Sequence, residues 1–239
     1  MKVFILAGGL GTRLREIVGD CPKPMAPIFD KPFLAYIIEL LREQSFNHFV
    51  LCISHKADQF QEHFGTGERY GVTIDYVVES VPLGTGGALR NAQDFIDSSF
   101  LLLNGDTYLN ADFNALVACH QHRRDTVIGT IGVQAADDTV GRGVVTIDSN
   151  GLVQSFQEKV EVAPGWINAG VYVLQPEILD FIPAQSKLSI ERDVFPAILD
   201  HQRQLQSFET TGFFVDIGTP QGYYQFQSYI EGTGYDYSK

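Results

Sequence analysis

Residues 6–14 read Leu-Ala-Gly-Gly-Leu-Gly-Thr-Arg-Leu at the end of an apolar run, Val3–Ala7, and Lys23-Pro24 follows shortly after. Glycines at 8, 9 and 11 let consecutive backbone N–H groups converge on an anion, where a side chain would block the approach. Thr12 adds a hydroxyl donor. Arg13 and Lys23 add a planar fork and a mobile point charge, two complementary ways to neutralise phosphate oxygens. Such a set suits a triphosphate, although the spacing matches neither Gly-x-Gly-x-x-Gly nor a Walker loop. The competing reading of this segment alone is a tight strand-to-helix turn with solvated Arg and Lys.

Two carboxylates stand at strand ends far apart in the chain: Asp106 in Asn104-Gly105-Asp106, and Asp216 in Val215-Asp216-Ile217-Gly218-Thr219-Pro220. Each alone reads as a turn or helix cap. Beside a phosphate loop, they suit a Mg²⁺ held by a few protein oxygens and completed by phosphates and water. Lys159, in Glu158-Lys159, has the charge for a second phosphate, while Glu158 and Asn168 of Asn168-Ala169-Gly170 can hydrogen-bond sugar hydroxyls. Pro82-Leu83-Gly84-Thr85-Gly86-Gly87-Ala88 is a second Gly-rich turn, able to set backbone groups beside a flat ring.

The elements that must position these residues are legible from periodicity. Branched or aromatic runs at Val3–Ala7, Phe49–Ile53, Thr73–Val78 and Phe100–Leu103 read as buried parallel strands of an α/β sheet, separated by segments of helical period. In Pro32–Gln44 the apolar positions Phe33, Leu34, Ile37, Ile38 and Leu41 line one helix face. Further helices are expected over Ala57–Phe64, Gly86–Phe95 and Asp112–His122. After Asp125 shorter strands at Val127–Val133, Gly143–Ile147, Val153–Phe156 and Val171–Leu174 point to a more antiparallel half, with a hairpin turn at Ser149-Asn150-Gly151. A helix at Ile190–Leu199, strands near Gln206–Glu209 and Phe213–Ile217, and a closing helix around Pro220–Glu231 follow. The organisation expected is one domain over 1–231 in two halves, 1–125 and 126–231, with a polar tail at 232–239. In an open α/β sheet, ligands sit beyond the carboxyl ends of the strands, where most of the distinctive residues fall.

Composition bounds the function. The 239 residues, 44% hydrophobic and 19% charged, are those of an ordinary globular chain long enough for one sizeable core. A formal charge of −12 argues against nucleic acid or an anionic membrane as partner, and concentrates the few cations where an anionic ligand sits. Cys21, Cys52 and Cys119 show no paired spacing, which points away from disulfides and towards a reducing cytoplasm. No run is long enough for a membrane span, and the N-terminal run enters the Gly loop instead of a cleavage site, so export is not expected.

Taken in order, the Leu6–Leu14 block, Lys23-Pro24, Pro82-Leu83-Gly84-Thr85, Gly105-Asp106, Glu158-Lys159, Asn168-Ala169-Gly170 and Asp216–Pro220 resemble the sugar-1-phosphate nucleotidylyltransferases over residues 2 to about 230. The stretches Lys23–Ile28, Asp30–Leu34, Ile167–Tyr172 and Ser189–Pro196 are similar to the heptose- and mannose-1-phosphate guanylyltransferases. The resemblance implies a Rossmann-like, mainly parallel sheet flanked by helices, with a small β subdomain over the sugar, residues 1–125 being the nucleotide-binding half and 126–231 the sugar-phosphate-binding half. It implies attack of a sugar 1-phosphate oxygen on the α-phosphorus of an NTP, giving an NDP-sugar and pyrophosphate. By the same likeness Gly8, Gly9, Gly11, Thr12 and Arg13, with Leu6 and Ala7, hold the nucleotide, and Lys23 neutralises charge near the α-phosphate. Pro82, Gly84, Thr85 and Asn104 line the nucleoside, and Asp106 and Asp216 bind Mg²⁺. Lys159 holds the sugar phosphate, with Gly143, Glu158, Asn168 and Ala169 around the sugar. The nucleophile is already an anion, so positioning and charge neutralisation carry the catalysis.

Glu79 falls where relatives set a side chain against the nucleobase edge. A carboxylate accepts two hydrogen bonds and donates none, which matches the adjacent N1–H and N2–H of guanine and opposes an oxygen of uracil or thymine; GTP is favoured. That match requires an inward Glu79 rather than a solvated one. Trp166, Tyr172 and Arg142 flank the sugar residues, but a core or rim position for the aromatics is the commoner outcome. Cys119, His120 and His122 lack metal-ligand spacing and are expected on a helix surface, and His55 stays unassigned. Competing functions are a uridylyl-, thymidylyl- or cytidylyltransferase on glucose 1-phosphate or an amino-sugar phosphate, and a non-catalytic subunit that binds a nucleotide-sugar. The presence of Arg13, Lys23, Asp106 and Asp216 weighs against the latter. No hexapeptide-repeat domain follows the closing helix, so a stand-alone transferase is expected; monomer or homo-oligomer is left open.

Overall fold

The computed structural model describes residues 1–9, 14–139, 142–158 and 164–233. In chain order the elements are β1 (Val3–Leu6), α1 (Arg15–Val18), β2 (Pro27–Ile28), β3 (Lys31–Pro32), α2 (Phe33–Glu43), β4 (His48–Ile53), α3 (Ala57–Phe64), β5 (Thr73–Val78), α4 (Gly84–Asn91), β6 (Phe100–Asn104) and β7 (Thr107–Leu109). Then come α5 (Phe113–Arg123), β8 (Val127–Ala136), β9 (Gly143–Ile147), β10 (Val153–Glu158), β11 (Gly165–Leu174), a π-helical turn at Ile190–Val194, α6 (Phe195–Asp200), β12 (Gln204–Thr210), β13 (Phe214–Asp216) and α7 (Pro220–Gly232).

The fold is the expected mixed α/β sheet. Strands β6, β1, β4 and β5 run parallel side by side. Strand β11 then pairs antiparallel with β6, β8 and β9, so the parallel and antiparallel halves are continuous in one nine-stranded sheet. Strand β12 departs from the antiparallel texture by pairing parallel with β8. Alternation along each strand serves two cores: Val3, Ile5, Leu51 and Leu103 face one side, and Phe4, Val50, Cys52 and Leu102 the other. This explains why these strands read as unbroken apolar runs.

Helix α2 is held by the face its periodicity announced. Phe33, Leu34, Ile37, Ile38 and Leu41 are all at most 2% exposed, and burial of each such side chain is worth roughly 1.5–3 kcal/mol. Capping side chains start two other helices: Asp112 accepts the Ala115 N–H at 2.9 Å before α5, and Thr219 accepts that of Gly222 at 3.1 Å before α7. At the π-helical turn, Pro196 has no N–H to return to the fourth residue before it. The turn widens instead, with the N–H groups of Val194 and Phe195 donating to the carbonyls of Ser189 and Ile190.

Two local expectations need correction. The strand expected at Val171–Leu174 starts at Gly165 and carries a bulge of Ala169, Gly170 and Val171 between the paired residues Asn168 and Tyr172. His120 is not on a helix surface: it is 0% exposed, its Nδ1 lies 3.1 Å from the Thr130 hydroxyl, and burial pushes its pKa down to about 4. Phe113, Leu116 and His120 are buried together on α5, so the histidine sits in the helix's apolar stripe. No helix among the described residues is long and apolar enough to cross a membrane.

Candidate active site

A cavity of about 1150 Å³ opens beyond the carboxyl ends of the parallel strands. One wall is the end of β1 and its loop, with Leu6, Ala7, Gly8 and Gly9. The Ser54 hydroxyl, just past β4, donates to the Gly8 carbonyl at 2.6 Å and fixes where that loop departs. Gly11, Thr12, Arg13 and Lys159 lie outside the described residues, and Glu158 enters through its backbone pairing with Gly143.

The floor carries the charges. Lys23, in a short 3₁₀ turn, places Nζ 2.7 Å from Asp106 Oδ2. Asp216 reaches the same place by a route the sequence did not announce. Strand β13 is not part of the main sheet; it pairs with β7, immediately after Asp106, in a two-stranded ribbon that sets Asp216 opposite Thr107. The Ile217 N–H closes the ribbon on the Asp106 carbonyl at 3.0 Å. A methyl at Gly218 would lie 2.7 Å from both Lys23 Nζ and Asp216 Oδ1, so cation and second carboxylate converge on that glycine.

A second wall is the Pro82–Ala88 turn and the start of α4. Gly84 has φ +74°, and a Cβ there would meet the Leu188 carbonyl at 2.5 Å, so the segment before the π-helical turn packs directly on this loop. Glu79 points inward and is 7% exposed. Its Oε2 accepts the Leu83 N–H at 3.3 Å, and its buried Oε1 has no donor among the described residues. Burial raises its pKa, against a smaller lowering by the Leu83 N–H.

The third wall is the antiparallel half, with Gly143, Asn168, Arg142 and Phe156. Ala169 does not reach the cavity: it is fully buried because strand alternation turns it to the opposite face from Asn168. Tyr172 is a core aromatic, 0% exposed, and Trp166 packs partly buried against the same cluster. Sequence reasoning missed Glu191 as a site residue. It lines the cavity from the π-helical turn and accepts from the Thr85 hydroxyl at 3.0 Å and the Ser189 hydroxyl at 2.8 Å. Pro196, five positions on, was the available signal that the turn carrying it is not a regular helix.

A glycine-rich strand end, a lysine and two carboxylates thus stand around one cavity. The model of the nucleotidyl transferase family matches residues 2–232. The chain belongs to this family. Among curated relatives, D-glycero-alpha-D-manno-heptose 1-phosphate guanylyltransferase of Campylobacter jejuni is 38% identical over 226 residues, covering 95% of this chain and 98% of that protein. UTP–glucose-1-phosphate uridylyltransferase of Synechocystis is 34% identical over 94% of this chain, which spans only 62% of that protein. The crystal structure of HddC from Yersinia pseudotuberculosis complexed with GMP-PN superposes with a TM-score of 0.84 at 35% identity, covering 96% of this chain and 99% of that one. This chain is therefore a nucleotidyl transferase, and the two curated relatives are named for a heptose 1-phosphate and glucose 1-phosphate as acceptors.

Proposed function

We propose that the nucleotidyl group is GMP, taken from GTP, and that the acceptor is D-glycero-D-manno-heptose 1-phosphate or mannose 1-phosphate. The observation that carries the choice of base is Glu79, a buried carboxylate in the cavity wall with Oε1 free of any donor among the described residues. A buried acceptor left without a donor costs about 1–3 kcal/mol or more. Guanine offers two adjacent N–H donors to such an edge, whereas uracil and thymine set a carbonyl against it. The likeness to the Campylobacter protein along nearly the full length of both chains supports the same base and a heptose acceptor.

In this reading the Gly8–Gly9 backbone and Lys23 orient the triphosphate, with Gly11, Thr12 and Arg13 of the same loop and Lys159 on the sugar phosphate. The sugar 1-phosphate oxygen forms the new bond to the α-phosphorus as the bond to pyrophosphate breaks, and no proton has to move. Lys23 balances charge that develops at the α-phosphoryl oxygens. The donor set fits Mg²⁺: Asp106 and Asp216 supply hard carboxylate oxygens at one end of the cavity, and this ion needs only one or two of them when phosphates complete its shell. When bound, it supplies charge neutralisation and in-line orientation of the phosphates.

The test is pyrophosphate release with Mg²⁺ and each of GTP, UTP, dTTP, CTP and ATP, crossed with the 1-phosphates of D-glycero-D-manno-heptose, mannose and glucose. Turnover confined to GTP with heptose or mannose 1-phosphate is the expected result. Preference for UTP or dTTP would overturn the role given to Glu79.

A further inference from the structure

Glu191 sits at a junction that the nucleotidyl-transfer chemistry does not use directly. Its Oε2 takes the hydroxyl protons of Thr85 and Ser189, and both hydroxyl oxygens already accept backbone N–H groups, Ile190 at 2.8 Å and Arg192 at 3.3 Å. Its Oε1 lies 3.1 Å from the Tyr172 hydroxyl, with Asn104 Nδ2 at 3.5 Å. Tyr172 is fully buried, and burial together with the Glu191 charge keeps its phenol protonated.

The polarity of the next links follows from counting protons. A carboxylate only accepts, so the single proton of Tyr172 points to Glu191, and the tyrosine oxygen can then only accept from its other neighbours. The nearer such donor is Asn168, with Nδ2 at 2.7 Å, and Asn104 is a second. The far end of the same amide is fixed as well, because Asn168 Oδ1 accepts the Gly170 N–H at 3.1 Å. The Asn168 side chain is thus oriented from both ends, and presents one N–H and one carbonyl lone pair to the cavity.

The backbone is shaped to allow this contact. Four residues of regular strand would set the two Cα atoms about 13 Å apart. In β11, Ala169, Gly170 and Val171 instead stand opposite Gly132 alone, between the pairs Asn168–Val133 and Tyr172–Ile131. Gly170 has φ +67°, and a Cβ there would lie 3.0 Å from Asn104 Nδ2. The bulge both shortens the span and presses the strand onto the end of β6.

We propose that Glu191 is a positioning residue for sugar recognition: through the Tyr172 hydroxyl its carboxylate fixes the Asn168 amide in the orientation that receives hydroxyls of the sugar 1-phosphate. The proposal rests on the sugar-1-phosphate reading of the cavity. Glu191 also holds Thr85 of the opposite wall, and Asn104 stands beside the Tyr172 hydroxyl as well, but Asn168 is the partner that the tyrosine orients towards the sugar.

The test is initial-rate kinetics with the nucleotide and sugar 1-phosphate that the wild-type protein uses best in the panel above. Tyr172→Phe should raise KM for the sugar 1-phosphate about tenfold, the loss of one oriented hydrogen bond, and leave KM for the nucleotide within twofold. Glu191→Leu should raise the same KM at least as much. Glu191→Gln keeps a carbonyl for Tyr172 and can turn its amide to the Thr85 and Ser189 hydroxyls, so it should restore KM to within about threefold of wild type. In the Glu191→Leu, Tyr172→Phe double variant the two effects should not add. Equal movement of both KM values, an unmoved sugar KM in Tyr172→Phe, or additivity in the double variant would overturn the relay while leaving the transferase reading intact. No turnover by the wild-type protein with any pair would overturn both.

Discussion

Lys23 and Asp106, 83 residues apart in the chain, meet with 2.7 Å between Nζ and Oδ2 at the floor of the cavity. Their side chains are 14% and 31% exposed, so the pair is partly withdrawn from solvent. Each charge satisfies the other within the chain; in the proposed reaction Lys23 turns to the phosphates and Asp106 to the metal ion. Lys23→Met should lower kcat/KM about 10²–10³-fold, in line with removal of one group that stabilises developing charge. It should also cost about 1–2 kcal/mol of stability by leaving Asp106 beside Asp216 without its cation, read as a lower urea midpoint. Full turnover in this variant would exclude Lys23 from the chemistry.

Glu79 predicts a proton linkage. Burial holds its pKa above the ordinary 4.5, and donors from a bound base would lower it. Binding of GTP should therefore release protons in mildly acidic solution, and affinity should rise with pH through that range. Calorimetry in two buffers of different ionisation enthalpy measures the release. Glu79→Gln should abolish it and cut the preference for GTP over UTP by about 10–100-fold.

His120 should make the fold acid-sensitive. Its folded pKa of about 4 lies below the ordinary 6.5, so the unfolded chain binds the proton more readily. The stabilisation is complete above pH 6.5 and is lost as pH falls through about 4, with a full amplitude of about 3 kcal/mol. Thermal midpoints of the wild type and His120→Gln, measured from pH 7 to pH 4, should converge on the acid side. Parallel profiles would show that the histidine does not carry this dependence.

Two glycines should separate folding from binding. A Cβ at Gly9 has nothing within 4 Å, whereas one at Gly84 meets the Leu188 carbonyl at 2.5 Å from a backbone with φ +74°. Gly9→Ala should leave the thermal midpoint within a degree or two and weaken nucleotide binding at least tenfold, because the methyl occupies the approach of the phosphates. Gly84→Ala should destabilise the fold by about 2 kcal/mol or more. Equal loss of stability in the two variants would contradict this division.

The sequence by itself determined the periodic elements. The strands Thr73–Val78 and Gly143–Ile147 and the helix Ala57–Phe64 fall where their apolar spacing put them, because period and burial are two expressions of the same constraint. It also determined the residue types at the strand ends, a glycine loop, a lysine and isolated carboxylates, each of which alone reads equally as a turn or cap and which only together suit phosphates and a cation. What it left open are relations between distant segments. Only the tertiary structure brought Asp216 to Asp106, through a ribbon of three-residue strands too short to leave a pattern. Only the structure turned Glu79 inward, since a glutamate after an edge strand reads the same whether solvated or buried. Glu191 and His120 show why. A polar side chain in a helix is assigned to water by default, and its burial depends on hydroxyls and apolar groups contributed from far along the chain, Tyr172 and Thr85 for the one and Thr130 for the other. Local periodicity fixes which face an element presents; the partners that satisfy a buried polar group on that face are a property of the folded whole.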